Sequence, residues 1–383
     1  MHVRGMDPYL LLAAAEGCEP GLVPALLDPA SDPTELLRLG AIADESEDES
    51  APRLPPRVLR RLRSPDLPHV AAAWLERAQQ HGLQVLTPAD DGYPPSLRDV
   101  ALRPNALFLR GDINALAATP ALAVVGSRTP TPYGQDAAHQ FAHALASAGA
   151  TLWSGLARGI DAIAHRACLR AGSKTIAVLA GGLDQIYPPE HEALAAEIVE
   201  NGGCLVAELP PGRRAQRGHF PRRNRILAAA DAVLVIEAGR TSGALQTARF
   251  SAEQGRPVFA VPGPWTSERS RGCHDLLREG AQVANDPADL LRDLGVTAAI
   301  EPKTAHALQA TADEVALLRT LALGPRPADL AQRESGLERP RFLQARYRLE
   351  QHGALRLLPG DLLLATSVGL AAARHRGGTV GAS

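Results

Sequence analysis

A doubly wound α/β fold is what this sequence predicts, and three observations predict it. Six short apolar or β-branched runs alternate with longer segments in which apolar residues recur at three and four, and glycine-rich junctions stand where several strands hand over to helices. The strands are expected at Leu122–Val125, Ala150–Ser154, Thr175–Ala180, Cys204–Glu208, Ala232–Glu237 and Pro257–Val261. They read as near-continuous apolar runs, the mark of strands covered on both faces, and so of a mostly parallel sheet. The helices between them are expected at Tyr133–Ala148, Ile160–Ala171, Pro189–Asn201, Pro221–Ala230 and Gly243–Gln254.

Smaller modules flank this core. Tyr9–Glu16 and Thr34–Leu39 have helical spacing, with Ser31 or Asp32 as N-cap, and suggest a helical module over 1–65 of the SAM or helix-hairpin-helix kind. The acidic run Asp44–Glu49 and the Pro- and Arg-rich stretch Pro52–Arg63 read as a solvated loop or linker. The core is expected over 66–297. After a linker around Pro302, three short helices at Asp313–Leu321, Pro327–Arg333 and Arg339–Gly353 precede a hairpin, Leu355–Leu358 turning at Pro359-Gly360-Asp361 and returning through Leu364. Three helices and a hairpin suggest a winged-helix-like module over 298–370; a helical packing or partner module that never touches DNA fits the same pattern. Residues 371–383 read as a tail.

With 383 residues, 45% hydrophobic and 21% charged, the chain can build two or three domains without staples. Its four cysteines, Cys18, Cys168, Cys204 and Cys273, form no CxxC pair, so neither a disulfide framework nor a zinc site is expected. The first residues carry no apolar leader, and the uncharged run Leu362–Ala373 falls short of the ~20 residues that span a bilayer. A cytoplasmic protein without cofactor, metal or membrane partner is the expectation. The net charge of −2 leaves nucleic acid open, because a basic footprint is local.

Ligands of open α/β sheets bind outside the carboxyl ends of the strands. The loop Val125-Gly126-Ser127-Arg128 leaves a strand and enters a helix, so its backbone N–H groups can face an anion while Arg128 adds a charged fork. It matches neither GxGxxG nor GxxxxGK[ST], which disfavours dinucleotide and Walker-type triphosphate sites. The loop Ser154-Gly155-Leu156-Ala157-Arg158-Gly159-Ile160-Asp161 repeats the arrangement. Asp161 is expected to cap its helix rather than to catalyse, and His165 to pack. Between Glu208 and Asp231 lie Arg213, Arg214, Arg217, Arg222, Arg223 and Arg225 with no acid among them and Phe220 inside the run. Arginines neutralise phosphates and a ring offers every base a stacking face, so the stretch suits a single strand; a solvated loop with Phe220 tucked into the core is the bland alternative.

Taken together, Val125-Gly126-Ser127-Arg128 with Tyr133-Gly134, Ser154–Asp161 with Ala164-His165, Thr175–Leu179 with Gly182-Leu183-Asp184 and Tyr187-Pro188, Phe220-Pro221-Arg222-Arg223-Asn224-Arg225-Ile226, Glu237-Ala238, Ser242-Gly243 and Val258–Gly263 resemble, in order, the DNA-processing protein A (DprA/Smf) family. The resemblance is dense from Tyr93 to Ala281. It implies a Rossmann-like core, commonly dimeric and without a catalytic centre, that binds single-stranded DNA and helps load RecA recombinase during natural transformation. Mapped by motif, Gly126, Ser127, Arg128, Gly155, Lys174, Phe220, Arg222, Arg223, Asn224 and Arg225 would hold the strand, with Arg217 a weaker member. Leu276 and Leu277 fall in the family's dimer- and recombinase-facing region, although packing within one helix explains them as well.

The chain departs from the family's Ser-Gly-Ser-Leu-Ile-Thr at Ser242-Gly243-Ala244-Leu245-Gln246-Thr247, which leaves its finer ligand preference open. Two other functions compete. A phosphoribohydrolase of related architecture would need a carboxylate at the sugar, where Gln246 cannot ionise. A duplex-binding regulator would read the major groove through Arg339, Arg341, Arg346 and Arg348, with Phe342, Ala345 and Leu349 buried behind them.

Overall fold

The computed structural model describes residues 6–17, 34, 56–295 apart from 99 and 101, and 310–373 apart from 323, 359, 367, 368 and 371. The expected helix at Thr34–Leu39 beyond Thr34, the acidic run Asp44–Glu49, the linker around Pro302 and the tail beyond 373 lie outside the described residues. The chain divides into two compact units, Met1–Ala298 and Ala299–Ser383.

The first unit is built on a nine-stranded sheet of order β1-β2-β6-β5-β4-β3-β7-β8-β9. Its strands are β1 (Gln84–Leu86), β2 (Leu107–Gly111), β3 (Ala121–Val125), β4 (Thr151–Ser154), β5 (Thr175–Leu179), β6 (Cys204–Ala207), β7 (Ala232–Val235), β8 (Val258–Ala260) and β9 (Gln282–Val283). From β6 to β9 all neighbours are parallel, and β1 and β2 add an antiparallel edge. All six expected strands are present, and the sheet is Rossmann-like and mostly parallel. The antiparallel edge was not foreseen.

Successive side chains of a strand point to opposite faces, and the cores follow that period. Ala121, Ala123 and Val125 face one way, with Val233, Val235 and residues of α4 (Pro95–Arg98), α8 (His219–Leu227), α9 (Ala244–Glu253) and α10 (Arg271–Arg278). Leu122 and Val124 face the other, with Leu152, Leu234, α5 (Pro132–Ser147), α6 (Ile160–Arg170) and α11 (Pro287–Asp293). Near the sheet's antiparallel edge, Phe108, Leu179 and Leu205 pack with α7 (Glu192–Glu200) and with α1 (Pro8–Glu16), α2 (Pro56–Leu62) and α3 (Leu67–Gln80).

Two expectations about the amino-terminal part need correcting. Residues 56–62 form a helix, not a linker, because Val58 is buried while Arg61 Nη1 donates to the open carbonyls of Ala15 and Glu16 at the end of α1. Nor is there a separate core before residue 65 among the described residues. Leu10, Leu12 and Val58 share one hydrophobic cluster with Trp74 and Phe108, and Glu16 accepts from Asn105 Nδ2 at 3.2 Å.

The second unit consists of α12 (Ala312–Thr320), β10 (Arg326–Pro327), α13 (Ala328–Ser335), α14 (Arg339–Gln351), β11 (Leu355–Leu358) and β12 (Leu362–Ala365), with sheet order β10-β12-β11. Three helices and a hairpin are thus present as expected. Phe342, Ala345 and Leu349 are buried in its core. Of the arginines on α14, Arg341 pairs with Asp313 at 2.8 Å, Arg346 with Glu350 at 2.9 Å and Arg348 with Glu314 at 3.1 Å. Among the described residues no helix is long and apolar enough to cross a membrane, and no cluster of three or more side chains could hold a metal ion.

His165 packs as expected. It is fully buried on α6, with Nδ1 2.8 Å from Thr175 Oγ1, whose hydroxyl in turn donates to Leu152 O at 2.7 Å. The hydroxyl proton is therefore spent, and Nδ1 carries the imidazole hydrogen. Burial pushes the His165 imidazole down to about 3. Because the unfolded histidine titrates near ~6.5, the unfolded chain binds the extra proton as pH falls through that value while the folded chain refuses it until about pH 3. Stability is therefore expected to fall on acidification, by ~2 kcal/mol from this group between pH 7.5 and pH 5. Urea unfolding of wild type and His165→Gln at the two pH values checks this: the variant starts lower but loses that increment of pH dependence. An identical acid limb in both would assign the loss to other groups.

Candidate nucleic-acid interface

The chain builds β3 to β6 in one direction and then returns to place β7 on the other side of β3. Loops leaving β3 and β7 therefore diverge, and a crevice opens at their carboxyl ends. Here it is a cleft of about 510 Å³, lined by Gly126, Ser127 and Arg128 after β3, by Thr241, Ser242 and Gly243 after β7, and by α8. Gly126 lets the walls close up: a Cβ there would lie 2.7 Å from Ile160 Cγ1 and 3.0 Å from Glu237 O. Ser127 stitches the walls together, its N–H donating to Glu237 O at 2.7 Å and its carbonyl accepting from Ile160 N at 3.1 Å.

Arg128 is exposed at the lip, its guanidinium 5.1 Å from the centroid of the half-buried Phe220 ring. Tyr187 meets the same ring edge-on at 5.9 Å. Ser127 Oγ accepts from Arg269 at 3.2 Å, and Arg269 also donates to Thr129 Oγ1 at 2.6 Å. Beneath them lies Arg223, 6% exposed, donating to Gly155 O at 2.8 Å and to Val178 O. Its Nε donates to Asn224 Oδ1, and Asn224 Nδ2 reaches Gly243 O at 3.2 Å, which ties α8 to the loop after β7.

The single acid lining the cleft among the described residues is Asp161, against three arginines, Arg128, Arg223 and Arg269. Asp161 Oδ2 accepts from Gly155 N at 3.1 Å and Ala157 N at 3.3 Å, so instead of capping its own helix as expected it ties down the loop that precedes it. Burial pushes its carboxyl up, opposed by Arg223. Burial likewise pushes the Arg223 guanidinium down to about 10, opposed by Asp161, which leaves the guanidinium charged near neutral pH. The cleft can thus hold an anion against a preorganised positive wall and offer a ring beside it.

Several expected site residues lie elsewhere. Lys174 directly precedes β5, at its amino end, and its ammonium pairs with Asp112 Oδ2 at 2.7 Å. It lies a strand's length, ~16 Å, from the carboxyl ends that form the cleft. The hydrogen bond from Lys174 holds the Asp112 carboxyl below its usual range. Arg225 is 3% exposed and clasps Glu208 with both terminal nitrogens, at 2.8 and 2.5 Å, so its charge is spent inside the protein. Arg222 borders a small pocket with Glu208 and His219 instead of the cleft, and Arg217 is exposed on the preceding loop. Gly155 does not face ligand; a Cβ there would lie 2.4 Å from Arg223 Nη2, so it makes room for that guanidinium. Leu276 is buried in the core, and only Leu277 of the pair is partly exposed. The sequence reading missed Arg269, which lies outside the arginine-rich run, although the loop after β8 is itself a carboxyl-end loop.

A family model described as DNA recombination-mediator protein A matches residues 84–295, more than half of the chain. Protein Smf of Escherichia coli is 45% identical over 223 residues, which cover 58% of this chain and 58% of that protein, so the chain spans under two thirds of this relative's length. The X-ray structure of DNA processing protein A from Streptococcus pneumoniae superposes with a TM-score of 0.61 at 32% identity, covering 75% of this chain and 98% of that one. DNA processing protein A from Helicobacter pylori, whose structure was described for its single-stranded DNA binding mode, gives a TM-score of 0.50 at 30% identity, covering 55% of this chain and 95% of that one.

The two kinds of arginine separate by stability. Glu208→Gln leaves Arg225 as an uncompensated buried cation and is expected to lower the unfolding free energy by ~3–5 kcal/mol. Arg128→Ala, at an exposed lip, should stay within about 0.5 kcal/mol of wild type. Urea denaturation measures both, and equal losses would show that Arg128 too is a structural residue.

Proposed function

The chain belongs to the DNA recombination-mediator protein A family, and from that premise we propose that it binds single-stranded DNA in the cleft and helps load RecA recombinase onto it in DNA uptake and recombination. One observation carries the binding step: three guanidiniums and a single, internally bonded carboxylate line a cleft with Phe220 at its lip. Arg128 and Arg269, both exposed, would hold backbone phosphates. Phe220 would stack on a base. Arg223 and Asn224 hold this wall in shape, and Arg225 acts from behind it.

Action as a homodimer and contact with the recombinase belong to the same reading. Leu277, partly exposed, is the candidate for such a surface, since Leu276 is occupied inside the core. One observation speaks for a second reading. Asp161 supplies a carboxylate in the cleft wall, which a base-releasing nucleotide hydrolase would need near the sugar. Release of free base from a nucleoside monophosphate on incubation with the protein would favour that enzyme.

Equilibrium binding of a labelled oligonucleotide across a salt series tests the proposal. Single strand is expected to bind more tightly than duplex. Arg128→Ala should reduce the slope of log affinity against log salt by ~0.7, the share of one phosphate contact on a single strand. Phe220→Ala should cost ~1–3 kcal/mol with little change in slope. If Phe220→Ala moves the slope as much as Arg128→Ala does, the division of roles is wrong; if duplex binds better, the activity moves to the second unit.

A further inference from the structure

Trp265 is the one tryptophan among the described residues that faces solvent. It is 79% exposed, whereas Trp74 and Trp153 are 5% and 1% exposed. A single exposed apolar side chain is ordinary on a protein surface. Its setting here is not. Trp265 rides on the loop after β8, and that loop is fastened to the cleft's lip on both sides of it. Before it, Pro262 O accepts from Tyr133 Oη at 2.6 Å, at the start of α5. After it, Arg269 donates to Ser127 Oγ and Thr129 Oγ1. The loop also closes on itself, with Ser267 N donating to Pro264 O at 3.0 Å and Gly263 lying where a Cβ would meet Ser270 Oγ at 2.1 Å. An indole on a short loop tied at both ends loses little freedom when something stacks on it.

The sheet order gives the platform a direction. Tyr187 and Phe220 stand on the β5 side of the β3–β7 crevice, and Trp265 follows β8 on the other. Four strand spacings separate β5 from β8, ~19 Å at the usual ~4.8 Å each. Arg128 and Arg269 lie between. The one acid next to Arg269 in sequence, Glu268, is paired with Arg271 at 3.3 Å.

Building on the single-strand reading, we propose that Trp265 is a second base-stacking platform, where a nucleobase of the bound strand rests after the backbone has crossed the cleft from Phe220 past Arg128 and Arg269. Every base has a π face, so this subsite extends the length of strand held without choosing its sequence.

Tryptophan emission tests the idea with the full chain, because the other two described tryptophans are shielded. The probe is an unlabelled thymidine oligonucleotide of about 20 residues, with binding followed separately by anisotropy of a labelled copy. Wild-type emission is expected to be quenched on binding, and the quench to be lost in Trp265→Phe while that variant still binds. Trp265→Ala should weaken binding roughly fivefold to a hundredfold with an unchanged salt slope. Binding by anisotropy with no quench, and with unchanged affinity in Trp265→Ala, would overturn the platform and leave the cleft standing. Loss of self-association in Trp265→Ala with unaltered oligonucleotide affinity would assign the indole to a second copy of the chain, and also overturns it. No binding of the oligonucleotide by wild type overturns both readings.

Discussion

Arg223 is the residue around which the cleft is assembled. A guanidinium that is nearly out of solvent is costly unless it is hydrogen-bonded and charge-compensated, and this one has both kinds of support. The carbonyls of Gly155 and Val178 take its protons, and Asp161 supplies the opposite charge. Each partner constrains something else. Gly155 must lack a side chain, and Leu156 next to it is forced to φ 55°, a backbone conformation that a branched residue tolerates only where its surroundings impose it. Those surroundings are visible: Asp161 takes the N–H groups on both sides of Leu156, and His191 Nδ1 lies 2.8 Å from its carbonyl. The 155–159 loop, the end of β5 and the α8 helix are thereby locked together before any ligand arrives.

That lock explains why a run of arginines divides its labour. Residues on a helix turn by about 100° each, so Arg223 on α8 is turned away from Arg222 and Arg225, which at i and i+3 share a face. Arg223 points under the cleft, whereas Arg225 clasps Glu208 and Arg222 borders the small pocket that Glu208 and His219 also line. The charge density visible in the sequence is real, but much of it is structural. The exposed charge that lines the cleft comes instead from Arg128 and Arg269, one in a glycine-rich loop and the other well outside the arginine-rich run.

The same distinction marks what could be read in advance. The six central strands and their helices were legible because burial on both faces writes continuous apolar runs such as Leu122–Val125, and the Gly126–Arg128 loop because a carboxyl-end turn into a helix has a recognisable composition. The edge strand β1 was not, being three residues of mixed burial, and α2 was hidden because only Val58 of its seven residues is buried. Lys174 was misplaced for a topological reason: a residue just before a strand and one just after it look equally close to that strand in sequence, yet stand at opposite edges of the sheet. Asp161 and Gly155 were misassigned, one as a helix cap and the other as a ligand-facing glycine, because their true partner, Arg223, lies more than sixty positions away and no local pattern reports such a contact.

The net charge of −2 bears on how such a site can work. A chain with no overall positive field cannot rely on long-range attraction, which salt screens beyond ~8 Å at physiological ionic strength. Binding must then be won at contact, by a few well-held charges and by surfaces whose attraction salt does not weaken. Aromatic residues make up only 4% of the chain, yet Tyr133, Tyr187, Phe220 and Trp265 all follow the carboxyl ends of strands, and all but Phe220 rank among its exposed large side chains. Their placement is informative: rings that were merely filling the core would be buried within or against the sheet, as Phe108 and Phe259 on its strands are, and would not stand exposed beyond its carboxyl ends.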